Sequence, residues 1–295
     1  MPPIAVVLVL ASTFAHVAWN AIVKTSGDPL RTATRSVSLG VLVTLPLAAV
    51  AWLATGGPSL APEGWLLAVA SGVVGTAYFV VLSAAYRRGP LSAVYPVARG
   101  TGAFAAAVVG ITVLGEQLSP GGLAGIILLL GGLAAIALPT ASRAAIVPAI
   151  AAGVCIAGYT AIDRLGVRTG PAWLYNVAIW GCIAIGLVLL TVRPRRVLAG
   201  SLGRIPSLAA PEDPASQTSL WKPLLAGLLM IGTYLFILAA LTIAPMAAVA
   251  PLREASSVLA AGYGVARLGE RQGGLVRLAG ATAIASGAIL LAVSG

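Results

Sequence analysis

The chain has 295 residues, of which 59% are hydrophobic and only 9% are charged, and its mean hydropathy is +1.00. A soluble domain is typically about one-quarter charged, so this composition excludes an ordinary soluble fold and indicates that lipid is the solvent. The formal charge of +10 does not indicate a nucleic-acid partner, because basic residues of membrane proteins gather in cytoplasmic loops and the sequence has no solvated basic domain.

Ten continuous apolar stretches follow one another along the chain. Each is close to the roughly 20 residues that cross a bilayer as a helix, and none alternates apolar and polar residues as a strand does. The first has no basic residue before it, so we expect a retained span and not a cleaved signal peptide. We predict an all-α integral membrane protein with spans at 3–23, 34–54, 65–86, 91–114, 119–138, 143–163, 170–192, 221–243, 246–266 and 273–293.

Part of the chain is repeated. Residues 84–132 resemble residues 239–287, with a proline and an ionisable residue at matching positions inside the apolar segment. Residues 19–24 also resemble residues 159–164, at an offset of 140. A duplicated apolar segment that carries a helix-breaking proline and an ionisable residue is typical of the binding site of a transporter.

The repeat divides the chain into two units, 1–139 and 143–295, each with five predicted spans. Because five is odd, the second unit must enter the membrane from the opposite side, which predicts two inverted repeats around a central cavity. The one long polar segment, 193–220, lies inside the second unit. Basic loop residues are concentrated on one side, with only Arg164 and Arg168 on the other, and this bias predicts that both termini lie outside the cytoplasm.

The first predicted span carries His16, Trp19 and Asn20 on one helical face. Two interpretations stay open for this stripe, a lining of a water-filled cavity and an interhelical seam of hydrogen bonds. His16 is the only histidine of the chain and is therefore also a candidate proton carrier. Three tyrosines on other spans are further candidates for lining the cavity: Tyr78, Tyr159 and Tyr234.

The fourth predicted span places an arginine inside the membrane. Tyr95 and Arg99 share a helical face, and Pro96 between them is predicted to break the helix. An arginine at the bilayer centre costs roughly 2.5–3.5 kcal/mol on insertion scales, so it must face water or a partner. Arg99 is therefore interpreted either as a guanidinium that binds an anion or as one member of an ion pair.

The ninth predicted span repeats this pattern with Pro251 as the helix break, followed by Glu254 and Ser257 on one face. Arg99 and Glu254 occupy equivalent positions in the two repeats, so a two-fold axis would bring them close together. Two interpretations stay open, a direct ion pair and two opposite poles that hold a zwitterion. Glu254 is a second candidate proton carrier. Arg253 is adjacent to Glu254 in sequence and is expected to point elsewhere.

Three further acids are interpreted as structural. Asp163 lies at the end of the sixth span beside Arg164, and we expect a solvated pair. Glu116 and Glu270 each end a span within a repeated Leu-Gly-Glu, and we expect them to serve at helix ends or turns.

Signatures of enzymes and metal sites are missing from the sequence. It has no HExxH, GxSxG or Walker A motif and no acid cluster suited to a metal. Cys155 and Cys182 sit in separate apolar runs and are expected to be buried thiols. We therefore predict no catalytic residue, no metal and no cofactor, and we expect that the protein is not an enzyme.

Three motifs resemble one known family, the EamA-type members of the drug/metabolite transporter superfamily. They are AHVAWNAIVK at 15–24, AYRRGPLSAVYPVARG at 85–100 and LGEQLSPGGLAGIILLLGG at 114–132, with a weaker copy at 250–270. The resemblance implies ten helices in two inverted five-helix halves, with a cavity lined by helices 1, 3, 4, 6, 8 and 9. It implies secondary transport, commonly export, of small metabolites such as amino acids. It also implies cytoplasmic termini, which opposes the prediction from charge.

Together these observations predict a multi-pass secondary transporter of the bacterial-type inner membrane. We expect it to export a small polar metabolite such as an amino acid by alternating access. Its expected partners are that solute, lipid and, as an open alternative, protons, and it is expected to be a monomer or a homodimer. The alternative function is a membrane-embedded enzyme or a lipid-handling protein.

Overall fold

The structure is a computed structural model that describes residues 1–137, 143–192, 219–255 and 274–294. Within these ranges the chain is mostly helical and contains no β-strand. The helices are α1 (Pro3–Lys24), α2 (Pro29–Ala54), α3 (Pro62–Arg88), α4 (Leu91–Thr112), α5 (Pro120–Ala137), α6 (Arg143–Gly166), α7 (Ala172–Val192), α8 (Trp221–Ile243), α9 (Met246–Leu252) and α10 (Gly274–Ser294), and a 3-10 turn (Arg253–Ala255) follows α9.

Seven of these helices are long and apolar enough to cross a membrane, namely α1, α2, α3, α4, α6, α7 and α8. Two shorter apolar helices lie within α5 and α10. The prediction of an all-helical, multi-pass membrane protein is confirmed. The polar segment 193–220 lies almost wholly outside the described residues, as do Ser257 and Glu270.

Two helices begin earlier than the apolar pattern predicted. The helix α2 begins at Pro29, because the side chain of Asp28 accepts hydrogen bonds from the backbone N–H groups of Leu30 and Arg31 at 3.1 and 3.3 Å. Such an N-cap satisfies donors that the first turn of a helix leaves open. The helix α3 likewise has a proline, Pro62, at its first position, where the missing N–H costs nothing.

The two prolines predicted to break helices behave differently. The helix α4 continues through Pro96, which stands in its second turn. The helix α9 ends one residue after Pro251, and the chain goes on as the 3-10 turn. Arg253 and Glu254 lie on this turn, and their side chains face different surroundings.

Helices from the two sequence repeats pack against each other. The helix α1 packs on α8, and the equivalent pair is α6 on α3. The helix α2 packs on α8, and the equivalent pair is α7 on α3. The helices α4 and α9 contact one another, and so do α5 and α10. The interior of the protein is therefore built mainly from contacts between the repeats.

Large apolar side chains cover much of the outside of the bundle, and several charged residues lie within it. Phe14, Leu66 and Val147 are about 70% exposed, at 69%, 73% and 72%, whereas Arg99 and Glu254 are buried. This distribution suits a protein whose surface meets lipid, since ionisable residues inside a membrane face the bundle interior or a water-filled cavity.

Glycines allow α2 and α8 to approach closely. A Cβ atom on Gly40 would lie 2.8 Å from the carbonyl carbon of Gly227, and one on Gly227 would collide with the carbonyl oxygen of Ser36. Small residues at helix interfaces are the usual basis of close packing in membranes. By contrast, nothing lies within 4 Å of a Cβ atom built on Gly232, on the same helix.

We expect Gly227→Val to destabilise the protein by about 1–3 kcal/mol, because the added methyl groups force α8 away from α2. Gly232→Val is the control, since it makes the same change in helix propensity on the same helix without a collision. The free energy of unfolding in mixed detergent micelles measures both. Equal losses for the two variants would contradict the packing described for α2 and α8.

Candidate functional site

A cavity lies among α1, α3, α6, α7, α8 and the turn after α9. Ligand pockets form preferentially between the helices of bundles, so this position makes it the candidate site. The residues that line it are His16, Trp19, Ser71, Gly75, Tyr78, Phe79, Tyr159, Ile179, Trp180, Ile183, Met230, Tyr234 and Arg253.

Aromatic rings form most of the cavity wall and hold one another in place. The ring of Tyr159 meets the rings of Tyr78 and Tyr234 edge to face, with centroids 5.9 and 5.8 Å apart. Trp180 meets Tyr234 in the same geometry at 6.2 Å, and His16 meets Trp19 at 5.0 Å. Edge-to-face pairs are favourable because a positive ring edge faces a negative ring face. The wall is therefore preorganised, flat-sided and largely apolar.

Two ring nitrogens in the cavity wall are available to a bound molecule. Among the described residues, neither Nε2 of His16 nor Nε1 of Trp19 has a hydrogen-bond partner, although both side chains are buried. Leaving a buried polar atom unsatisfied costs about 1–3 kcal/mol. A solute or a water molecule in the cavity would remove this cost.

Arg253 brings a positive charge to the cavity. Its side chain is buried, its guanidinium lies 5.8 Å from the centre of the Tyr234 ring, and it hydrogen-bonds with Tyr159. No other charged residue belongs to the described lining. The sequence led us to expect that Arg253 points away from the site. In the structure it lines the cavity, because the 3-10 turn after α9 directs it there.

Arg99 and Glu254 form a buried ion pair beside the cavity. Nη2 of Arg99 lies 2.8 Å from Oε1 of Glu254, and the two side chains are 3% and 2% exposed. Of the two interpretations from the sequence, the structure has the direct pair, with no space for a zwitterion between the poles. Tyr95 is buried next to this pair, and its ring centroid lies 6.4 Å from that of His16.

The polar stripe on α1 serves two purposes. His16 and Trp19 line the cavity, whereas Asn20 forms an interhelical seam. Its Nδ2 donates to the carbonyl oxygen of His16 at 2.8 Å, and its Oδ1 accepts from the hydroxyl of Tyr86 on α3 at 2.6 Å. At the end of the same helix, Nζ of Lys24 donates to the carbonyl oxygen of Tyr86 at 2.6 Å.

Asp163 corrects the expectation of a solvated pair. It is fully buried, and its carboxylate accepts hydrogen bonds from the hydroxyl of Tyr175 at 2.9 Å and from that of Tyr234. The helix α6 continues to Gly166, so Asp163 still faces the bundle. Its neighbour Arg164 points in another direction and binds Glu116.

Glu116 caps a helix that belongs to the other repeat. Its two carboxylate oxygens accept hydrogen bonds from the backbone N–H groups of Met246 and Ala247, at 2.9 and 2.8 Å, at the start of α9. Nε of Arg164 lies 3.0 Å from Oε1 of Glu116, and Arg164 also donates to the carbonyl oxygen of Leu241 near the end of α8. This group therefore joins α6 and the α8–α9 turn to the loop after α4.

The sequence missed what α7 contributes to the site. Trp180 stands in an uninterrupted apolar span, and its Nε1 donates to Oδ1 of Asn176 at 3.1 Å. Asn176, the one amide side chain of this span, is buried and also bonds the carbonyl oxygen of Ile231 on α8. In the sequence, the one amide of an apolar span standing four residues before a tryptophan could have indicated that α7 contributes to the site.

Metal ligands do not gather anywhere in the described residues, where no group of three or more His, Cys, Asp or Glu side chains could hold an ion. Cys155 and Cys182 are free and only partly buried. The chemistry of the cavity is therefore that of aromatic rings, two ring nitrogens and one guanidinium.

Comparison with known proteins identifies the fold alone. No family model matches the chain, and no curated protein matches it. One solved structure, titled only "Crystal structure of protein", has a TM-score of 0.66 with this chain at 18% sequence identity and covers 96% of this chain and 97% of that one. The chain thus shares a full-length fold with a protein whose title states no activity.

We expect Arg99→Met to destabilise the protein by about 3–5 kcal/mol, because it leaves the charge of Glu254 buried without its partner. The double variant Arg99→Met with Glu254→Leu is expected to recover most of this loss, since it removes both charges at similar volume. Unfolding in mixed detergent micelles measures each variant. A double variant as unstable as the single one would contradict the pairing.

We expect Glu116→Ala to cost more stability than Glu63→Ala, an exposed acid in the first turn of α3. The first change leaves two N–H groups of α9 and the guanidinium of Arg164 without their acceptor, and the loss of a helix cap alone costs about 0.5–2 kcal/mol. The midpoint of thermal unfolding in detergent measures both variants. Equal midpoints would contradict the capping role of Glu116.

Proposed function

We propose that this protein is a secondary transporter of the EamA type that moves a small organic solute across the membrane by alternating access. The observation that carries the proposal is the aromatic cavity, which lies between helices of the two sequence repeats and contains the buried guanidinium of Arg253. Transporters built from inverted repeats hold their substrate at this place, near mid-membrane and at the repeat interface. The likeness of motifs to the EamA-type transporters favours export across a bacterial-type inner membrane.

The packing pattern supports ten helices in two inverted repeats, with 1–139 as the first unit and 143–295 as the second. Exchanging each helix with its equivalent, α1 with α6, α2 with α7 and α3 with α8, converts the contact of α1 with α8 into that of α6 with α3 and the contact of α2 with α8 into that of α7 with α3, and all four contacts are observed. Hydrogen bonds follow the same rule. Lys24 ends α1 and bonds a carbonyl oxygen near the end of α3, whereas Arg164, its equivalent, bonds one near the end of α8.

The cavity walls favour a solute with two chemically different parts. Flat aromatic walls gain most from an apolar body that displaces water. Arg253 suits a carboxylate, since a guanidinium matches its planar geometry with paired donors. The N–H of Trp19 offers one more hydrogen bond. An amino acid with an apolar or aromatic side chain has both parts, which is a narrower class than a polar metabolite.

The contacts between repeats suit a rocking motion. The Arg99–Glu254 pair lies beside the cavity, where α4 meets the turn after α9. The Glu116–Arg164 group lies at helix ends, where it joins the α8–α9 turn to the loop after α4. Polar contacts of this kind can part and reform at a defined geometry when one bundle moves against the other.

The test is counterflow in proteoliposomes loaded with an unlabelled amino acid and supplied with the same amino acid in tritiated form. Phenylalanine and leucine represent the proposed class, and lysine represents a cationic solute that Arg253 should reject. We expect exchange of the first two. Arg253→Gln should reduce it about tenfold or more, because a hydrogen bond to a charged group is worth about 1.5–3 kcal/mol.

Arg168→Gln is the matched control, since Arg168 is an exposed arginine in the loop after α6, and we expect it to exchange solute at the original rate. Each reconstituted variant is checked for an unchanged elution profile in size-exclusion chromatography. Exchange by Arg253→Gln at the rate of Arg168→Gln would refute the role of Arg253 in the site. A wild-type protein that exchanges no amino acid would refute the proposed function.

A further inference from the structure

We propose that Asp163 is a proton-binding site that couples proton movement to solute movement, with Tyr234 as its connection to the cavity. This inference rests on the proposed function. It adds which residue binds the proton and in which direction proton and solute move relative to each other. The sequence suggested His16 and Glu254 as proton carriers. In the structure Glu254 is bound to Arg99, and His16 stands in the cavity wall beside Trp19.

Asp163 differs from the other buried acids of the described chain because no cation is bonded to it. Glu254 is paired with Arg99, and Glu116 is paired with Arg164. Within the described part of the chain, Asp163 belongs to no ion pair, and it is 0% exposed. A buried carboxylate without a cation is costly in its charged form and is relieved of that cost by taking up a proton.

The surroundings of Asp163 suit both of its states. The hydroxyl groups of Tyr175 on α7 and Tyr234 on α8 donate to its two oxygens, and Ser71 on α3 is a further hydrogen-bond partner. These donors stabilise the carboxylate. When a hydronium ion protonates one oxygen, an O–H bond of the hydronium breaks, a new O–H bond forms on the carboxyl group and water is released, and the tyrosine hydroxyl can turn to accept. The group is then neutral and still hydrogen-bonded.

The charged and titratable groups around Asp163 come from each neighbouring element. Tyr159 lies one turn earlier on α6, and Arg253 acts on Asp163 electrostatically from the turn after α9. Arg164 follows Asp163 on α6 but binds Glu116. The one charged residue of α4 is Arg99, which is held by Glu254 on the 3-10 turn, and α4 also carries Tyr95. Arg253 is therefore the cation that the charge of Asp163 can influence.

Tyr234 connects the carboxylate to the cavity. Its hydroxyl bonds Asp163, its ring forms part of the wall, and the guanidinium of Arg253 lies 5.8 Å from the ring centre. A charged Asp163 attracts Arg253, whereas a neutral one leaves the guanidinium to the anionic group of a solute. Proton and solute binding then favour each other, since coupling between two sites is reciprocal. The expected result is movement of proton and solute in the same direction, so an inward proton gradient would drive uptake, opposite to the export that the likeness of motifs favours.

One experiment reads proton binding without any solute. In infrared difference spectra of the protein in lipid, a jump to acid pH should produce the C=O stretching band of a protonated, buried carboxyl group. We expect Asp163→Asn to lack this band. Asp28→Asn should retain it, because Asp28 is an N-cap at the start of α2 and asparagine caps a helix equally well. A band that survives in Asp163→Asn, or is absent from the wild type, would overturn the proposal.

A second experiment reads the coupling in proteoliposomes, with tritiated phenylalanine and leucine as probes. With the outside more acid than the lumen, the wild type and Asp28→Asn should accumulate solute inside. Asp163→Asn should only equilibrate it, to a ratio of about one between lumen and medium, while its counterflow exchange continues. Exchange without gradient-driven accumulation in the wild type, or accumulation by Asp163→Asn, would refute the coupling alone. Absence of exchange in the wild type would refute the proposed function instead.

Tyr175→Phe separates proton binding from a structural role for Asp163. This variant removes one donor to the carboxylate from outside the cavity wall, since Tyr175 is not among the lining residues. Losing a donor weakens the charged form, so accumulation should extend to a higher external pH. A merely structural contact between α6 and α7 would change the amount of folded protein and leave this pH profile unmoved, and that result would count against the proposal.

Discussion

The ion pair between Arg99 and Glu254 is the contact on which the interior of this protein depends. Each charge alone would be costly inside a membrane, and the two charges come from equivalent positions of the two sequence repeats. The pair therefore requires α4 and the turn after α9 to stay together whenever both are shielded from water. It places the end of α9 against the cavity, and with it the guanidinium of Arg253.

The buried charges around the cavity are stabilised in three different ways. Arg99 and Glu254 neutralise each other. Arg253 lies against the aromatic ring of Tyr234, an arrangement in which the ring face stabilises a cation. Asp163 relies on tyrosine hydroxyl groups. The Arg99–Glu254 pair holds the fold together, because each charge already has its partner. Arg253 lines the cavity and Asp163 is bonded to a residue of its wall, so their charges can respond to a bound solute or proton.

The two repeats have the same layout and different chemistry. Lys24 and Arg164 stand at equivalent helix ends and each satisfies a carbonyl oxygen on the packed neighbour. The equivalent of Phe79 on α3 is Tyr234 on α8, and both line the cavity, but only the tyrosine can bind Asp163. An asymmetric cavity of this kind can hold a solute whose two ends differ, which a symmetric duplication could not orient.

The sequence by itself determined the helical fold and the importance of Arg99 and Glu254, because lipid demands long apolar helices and makes every charge within them conspicuous. It also indicated His16, Trp19 and three tyrosines of the cavity. Only the tertiary structure decided the surroundings of Asp163, Arg253 and Asn20. A helical face is fixed by spacing along the chain, but what that face meets is fixed by neighbouring helices distant in sequence. The continuation of α6 past Asp163 and the 3-10 turn that contains Arg253 and Glu254 then determined the surroundings of each charge.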